Sequence, residues 1–182
     1  MKFFSLLIVG LVFSLLVQAS DQSEVESVVD RYFESIQVYD TAIMSSMMHP
    51  EALKRFRTPI LNALEGSKRE QAKMELLPLF SVSNVEQYKS LTDVEAYKRL
   101  NDFVAKAQPQ LIALMKSTYF EVVKIALKGD IAYVNYTLTM NIQDQSVEKD
   151  VVQKLKLHDG SWMLLLPPDG EATIAGIEAR FK

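Results

Sequence analysis

From Thr118 the apolar residues recur at every second position, and three short turns divide that stretch into four segments. This feature constrains the fold most. Segments at about 118–128, 131–142, 147–158 and 161–166 read as strands, joined by Gly129-Asp130, Asp144-Gln145 and Asp159-Gly160. A two-residue turn fixes register, and register decides which side chains share a face. Across the first turn, Leu127 should oppose Ala132, Ile125 Val134, Val123 Tyr136, Glu121 Leu138 and Tyr119 Met140. Across the second, Ile142 should oppose Val147, Met140 Lys149, Leu138 Val151, Tyr136 Gln153 and Val134 Leu155. Across the third, Leu157 should oppose Trp162, Leu155 Leu164 and Gln153 Leu166.

The three turns assign the apolar residues to one side. The other side carries Lys124, Asn135, Thr137, Thr139, Asn141, Glu148, Asp150, Lys154, Lys156 and His158. An antiparallel sheet with one solvated face has this pattern. Phe120, Tyr133, Met163 and Leu165 also fall on the wet side, so a homodimer through the outer sheet face is an expected partner arrangement.

The preceding half is helical. Val25, Val28, Val29, Tyr32, Phe33 and Ile36 form a stripe at helical spacing, opened by a capping-box pair Ser23/Glu26. Asp40 or Thr41 restarts a short helix through Met44, Met47 and Met48, which read as core filling. His49-Pro50 begins another, with His49 as its cap and proline where a missing N–H costs nothing. Thr58-Pro59 reads as a further start ended by Gly66, and Ser67/Glu70, Ser83/Glu86 and Thr92/Glu95 repeat the box spacing. The last strong helix spans about 93–107 and presents Val94, Tyr97, Leu100, Phe103 and Val104. Pro167-Pro168 ends the final strand and leaves a tail readable as helix or coil. Helical stripes and an apolar sheet face each need a partner. The expected fold is therefore α+β, a curved antiparallel sheet of about four strands covered on one face by N-terminal helices.

Residues 1–19 combine Lys2, an apolar run of about 15 residues and small residues at Val17 and Ala19, the pattern of a secretory signal cut after Ala19. The run falls short of the ~20 residues that span a bilayer. Residues 20–182 then form one domain. The chain has 20 basic and 23 acidic residues, and loss of Lys2 makes it one unit more acidic. No basic block survives in residues 20–182, which argues against nucleic acid and against a membrane surface after processing. With no cysteine, disulfides, thiolate metal sites and lipid anchoring through cysteine are excluded. An exported chain of this kind suits a bacterial periplasm.

The order of a capped helix, "YDTAIMSSMMHPEALKRF", "VVKIALKGDIAYVNYTLTM" and "VVQKLKLHDGSWMLLL" resembles the nuclear-transport-factor-2-like superfamily, the cystatin-like α+β cone shared with steroid isomerases and polyketide cyclases, and within it an exported bacterial branch. The likeness covers roughly residues 23–65 and 117–167, with the helices at about 67–116 as an insertion. It implies a cone whose interior is a ligand pocket, an active site or plain core. The lining would comprise Tyr32, Phe33, Ile36, Phe103, Tyr119, Glu121, Tyr136, Leu138, Lys149, Gln153 and Trp162. Tyr32 occupies the helix position where steroid isomerases place an oxyanion-donating tyrosine, though no residue matches their strand-borne aspartates.

On the derived register, Tyr119, Met140 and Lys149 make one row, and Glu121, Leu138 and Val151 the next. Strands lie ~4.8 Å apart, so the Glu121 and Lys149 backbones would be roughly 12 Å apart. A carboxylate buried there would have its pKa raised, as a general acid or base requires. The alternative is a sheet end frayed into solvent, with Glu121 and Lys149 reaching water. Tyr32 also fits a plain core position, and His158 beside its turn reads as inert. No metal-ligand spacing, nucleophile elbow, phosphate loop or dinucleotide fingerprint occurs, so no cofactor is expected. Three functions follow. The chain is a non-catalytic module binding a small apolar or amphipathic molecule or a protein partner, a cofactor-free isomerase, dehydratase or cyclase using Glu121 with Tyr32 or Tyr119, or a scaffold with a solid core. A cavity of ~300 Å³ or more touching Glu121 would favour the first two.

Overall fold

The computed structural model describes residues 5–142 and 145–182, with side chains from residue 20 onward. Helices α1 (Ser5–Val38), α2 (Thr41–Ser46), α3 (Pro50–Glu65), α4 (Arg69–Leu76), α5 (Val85–Ser90), α6 (Asp93–Ala107) and α7 (Pro109–Lys116) precede the strands β1 (Tyr119–Lys128), β2 (Ile131–Ile142), β3 (Gln145–His158) and β4 (Ser161–Leu164), and α8 (Pro168–Phe181) closes the chain. The strands form one antiparallel sheet in the order β1-β2-β3-β4. The expected α+β class, with helices on one face of the sheet, is what the chain adopts.

The core lies between that face and the helices. Val25, Val29, Tyr32 and Phe33 from α1 meet Ala132, Val134 and Tyr136 of β2, Leu155 of β3, and Trp162 and Leu164 of β4. Asp40 caps α2, its carboxylate accepting from the Ala42 and Ile43 N–H groups at 3.0 Å. His49 caps α3 as expected, and the tail is the helix α8, which packs Ile174 and Phe181 into the core. Arg55 of α3 holds α8 through Glu171 at 3.3 Å and Glu178 at 2.5 Å.

Several boundaries differ from the sequence reading. Ser23 and Glu26 lie inside α1 rather than at its start, because no proline interrupts the preceding residues. Pro59 lies inside α3, buried beside Ile60, Ala63 and Leu64, while the Thr58 hydroxyl donates back to the Lys54 carbonyl at 2.8 Å. Ser67 does not cap α4, which follows Lys68 without a side-chain cap. Asn84, not Ser83, caps α5. Thr92/Glu95 forms the full capping box. The helices of residues 67–116 form a second helical layer, tied to α3 by Phe56 against Phe80 and Tyr97, at 6.3 and 5.2 Å between ring centroids.

The sheet shows the corrections that matter most for function. The Gly129-Asp130 and Asp159-Gly160 turns hold the expected register, Leu127 opposite Ala132 and Leu157 opposite Trp162. Asp159 and Gly160 both adopt positive φ, 49° and 81°, as a tight hairpin turn demands. Of the middle turn, Asp144 lies outside the described residues and Gln145 already belongs to β3, with Ile142 opposite Gln145. β3 is therefore displaced by two residues, Leu138 facing Lys149 and Val134 facing Gln153. An even displacement leaves every side chain on its expected face.

In β1 the parity is broken. A bulge between Val122 and Lys124 turns the start of the strand over, so Phe120 opposes Leu138 and Glu121 opposes Thr137. Val123, the extra residue, is 66% exposed. The β4 edge is closed by the α2–α3 junction. Leu164 N–H donates to the Met47 carbonyl at 2.9 Å, and His49 N–H donates to the Leu164 carbonyl at 2.8 Å.

Candidate functional site

The bulge decides what the helix-covered side of the sheet contains. Phe120 and Val122 turn inward, and Phe120 stacks on Phe33 with ring centroids 4.4 Å apart. Phe33 also meets Tyr136 edge-on at 4.8 Å. Aromatic rings therefore fill the space assigned to a ligand. Glu121 is exposed beside Thr137 on the wet face, and Tyr119 is 61% exposed opposite Thr139. Both were expected to face inward; the single extra residue at Val123 reverses them.

Lys149 keeps its inward parity but lies where the hairpin outruns the helices. It is exposed and pairs with Asp169 at 3.4 Å. Glu121 and Lys149 are thus on opposite faces and do not meet. Gln153, 2% exposed, donates to the Lys154 and Leu165 carbonyls at 2.8 and 2.7 Å. Its amide is a buried cross-strand brace. Ile36, Phe103 and Leu138 are half-buried.

Tyr32, Tyr97 and Tyr136 bring phenols from α1, α6 and β2 near one another. Burial chiefly, with added repulsion from Tyr97, Tyr136 and Tyr39, raises Tyr32 well above the ordinary phenol value. Burial pushes Tyr97 up to about 12, and burial with the Asp169 charge pushes Tyr136 up to about 12. All three are neutral hydrogen-bond donors at physiological pH. Asp102, whose charge acts on the neighbouring Tyr39, is engaged elsewhere. Burial pushes Asp102 upward, but hydrogen bonds from Lys98 at 2.7 Å and Thr41 at 2.6 Å outweigh it and hold the carboxyl low.

The grooves of the molecule lie on its surface, and none of the five principal ones among the described residues reaches Glu121, Tyr32, Tyr136 or Gln153. Tyr119, Phe33 and Phe120 border a small niche of about 240 Å³. A groove of about 460 Å³ runs between α1, the end of α2 and the β3–β4 hairpin. Glu24, Ser27, Val28 and Arg31, at i, i+3, i+4 and i+7, line it from α1; Met47 and Trp162 are among its other walls.

Trp162 lies in the wall of this groove. The chain's one tryptophan is 3% exposed, and its indole Nε1–H is buried with no partner. An unpaired buried donor costs about 1–3 kcal/mol, and this one lies beneath the groove wall, out of contact with solvent. Arg31 adds a cation beside the carboxylates of Glu24 and Asp159, Ser27, Ser46 and Ser161 add hydroxyls, and Val28, Met47 and Met163 add apolar surface. The sequence reading had Trp162 in the cone interior. The signal for the groove was the polar stripe 24, 27, 31 on α1, which reads as ordinary solvated surface.

Among the described residues no group of three or more His, Cys, Asp or Glu is placed to hold a metal, and no helix is long and apolar enough to cross a membrane. No protein-family model matches the chain, and no curated protein matches its sequence.

Proposed function

We propose that the protein is an exported, non-catalytic binding module of the nuclear-transport-factor-2-like kind, working in a bacterial periplasm and taking a small amphipathic molecule. The occupant lies in the surface groove rather than inside the cone. The observation that carries this reading is the juxtaposition of Arg31 with Val28, Met47, Trp162 and Met163 on the walls of one groove. The isomerase alternative loses its acid, since Glu121 faces solvent across the sheet from the phenols. A homodimer through the outer sheet face belongs to the same reading, supported by exposed Val123 and Val152 on or beside that face.

An amphipathic anion tests the groove. Decanoate added to the protein should change Trp162 emission saturably, and Arg31→Ala should weaken the affinity about tenfold or more, as loss of a charge-assisted hydrogen bond of ~1.5–3 kcal/mol requires. An emission signal that never saturates, or equal affinity in Arg31→Ala, would contradict the groove as binding site.

A further inference from the structure

The chain's two histidines, remote in sequence, meet behind this groove with ring centroids 5.1 Å apart and planes at 68°. His49 is 3% exposed. Its Nδ1 accepts the Glu51 backbone N–H at 3.0 Å, capping α3. That bond fixes the neutral tautomer, because Nδ1 must keep its lone pair and the proton must reside on Nε2. The buried Nε2 has no partner. The same bond argues against a metal on Nε2, since ligation there would move the proton to Nδ1 and cancel the cap.

Protonation of His49 has three local consequences. The cap is lost, because imidazolium accepts nothing. A cation appears at the positive end of the α3 dipole. It also lies against His158. The charges around it come from every element packed there: Glu51 on α3, Lys156 and His158 on β3, Asp130 in the β1–β2 turn and Asp159 in the β3–β4 turn. Glu51 is held by Lys156 at 2.7 Å, which blunts the compensation it offers. Burial is the largest influence and lowers the His49 pKa below the ordinary 6.5, with His158 and Lys156 acting in the same direction against Glu51 and Asp130.

We propose that His49 and His158 form a proton-operated latch: neutral His49 keeps the Met47–His49 segment on β4, and protonation releases it. Met47 and His158 are themselves walls of the groove, so release deforms the binding site. The latch is a property of the unliganded protein; only its effect on affinity rests on the groove being a binding site. A depressed folded-state pKa means that the unfolded or released state binds the extra proton. The stabilisation is thus complete above about pH 6.5, the unperturbed value, and is lost as pH falls below it.

Hydrogen-exchange protection of the Leu164 and His49 amides in the full chain tests the latch. Between pH 7.5 and 5.5 their protection factors should fall about fivefold, with tenfold as the ceiling for one histidine of unperturbed value 6.5, after correction for intrinsic exchange. His49→Asn, which keeps a cap acceptor but cannot titrate, should hold them within about twofold. A flat profile in the unmodified protein, or the same fall in His49→Asn, overturns the proposal. Should that variant not fold, the NMR titration of His49 decides: a pKa below 6.5 with a concurrent shift of the Glu51 amide supports the latch, and a pKa at or above 6.5 overturns it. Decanoate titrations at both pH values separate the two readings. No binding at pH 7.5 sinks the groove alone, whereas a groove that binds equally at pH 5.5 and 7.5 sinks the latch's control of affinity.

Discussion

Phe33→Ala should destabilise the protein by ~3–5 kcal/mol, the range for removing a buried phenylalanine side chain. Phe33 joins α1 to two strands, stacked on Phe120 of β1 at 4.4 Å and edge-on to Tyr136 of β2 at 4.8 Å. The loss has two parts, the apolar surface returned to water and the cavity left behind. Collapse is restricted, since Tyr136 is fixed in the middle of β2 and Phe120 on a strand pinned by its bulge. Chemical denaturation checks the value. A cost under ~1 kcal/mol would show that the space beside Phe33 is already loose and solvent-filled, as a ligand-holding cone would be.

Gln153→Glu should cost ~3–5 kcal/mol at neutral pH, the scale of an uncompensated buried charge. The side-chain amide donates to two carbonyls, those of Lys154 and Leu165, which hold β3 to the chain leaving β4. A carboxylate of the same shape has no proton for either and directs negative charge at both. Its folded-state pKa would be raised above the ~4.3 of an ordinary glutamate. The sign follows from linkage. The unfolded state gives up its proton first as pH rises, so stability is retained below ~4.3 and lost progressively above it. Denaturation of the variant at pH 4 and pH 7 measures this. Equal stability at the two values, relative to the unmodified protein, would place Gln153 in water.

Much of the architecture was legible because each local signal agreed with the next. Gly129-Asp130 and Asp159-Gly160 are strong turn pairs, and the alternation on either side of them leaves little freedom. Asp40, His49-Pro50 and Thr92/Glu95 mark helix starts with chemistry that works only at a helix end. The register of β3 on β2 differs from the expected one by two residues without penalty, because the face a side chain occupies depends on parity alone.

The candidate site was less legible, and one residue explains most of the difference. "EVVK" carries two adjacent valines, and either suits a strand. Nothing local says that Val123 is the extra residue, yet that choice exchanges Phe120 with Glu121. The tertiary gain of placing Phe120 on Phe33, rather than a carboxylate, is the physical reason for the bulge. The pairing of His49 with His158 was equally hidden, because it depends on Met47–His49 joining β4 as a short parallel neighbour. A parallel bridge between two loop-bordering segments leaves no periodicity to read. Trp162 was rightly expected to face the core, but its partnerless N–H emerges only once every nearby acceptor is placed.

Cross-strand NOEs between β1 and β2 test the filled interior at its origin. The account predicts contacts joining Phe120 to Leu138 and Glu121 to Thr137, with ordinary antiparallel contacts resuming at Lys124 and Asn135. An unbroken ladder that sets Glu121 against Leu138 would restore an inward acid and contradict the account.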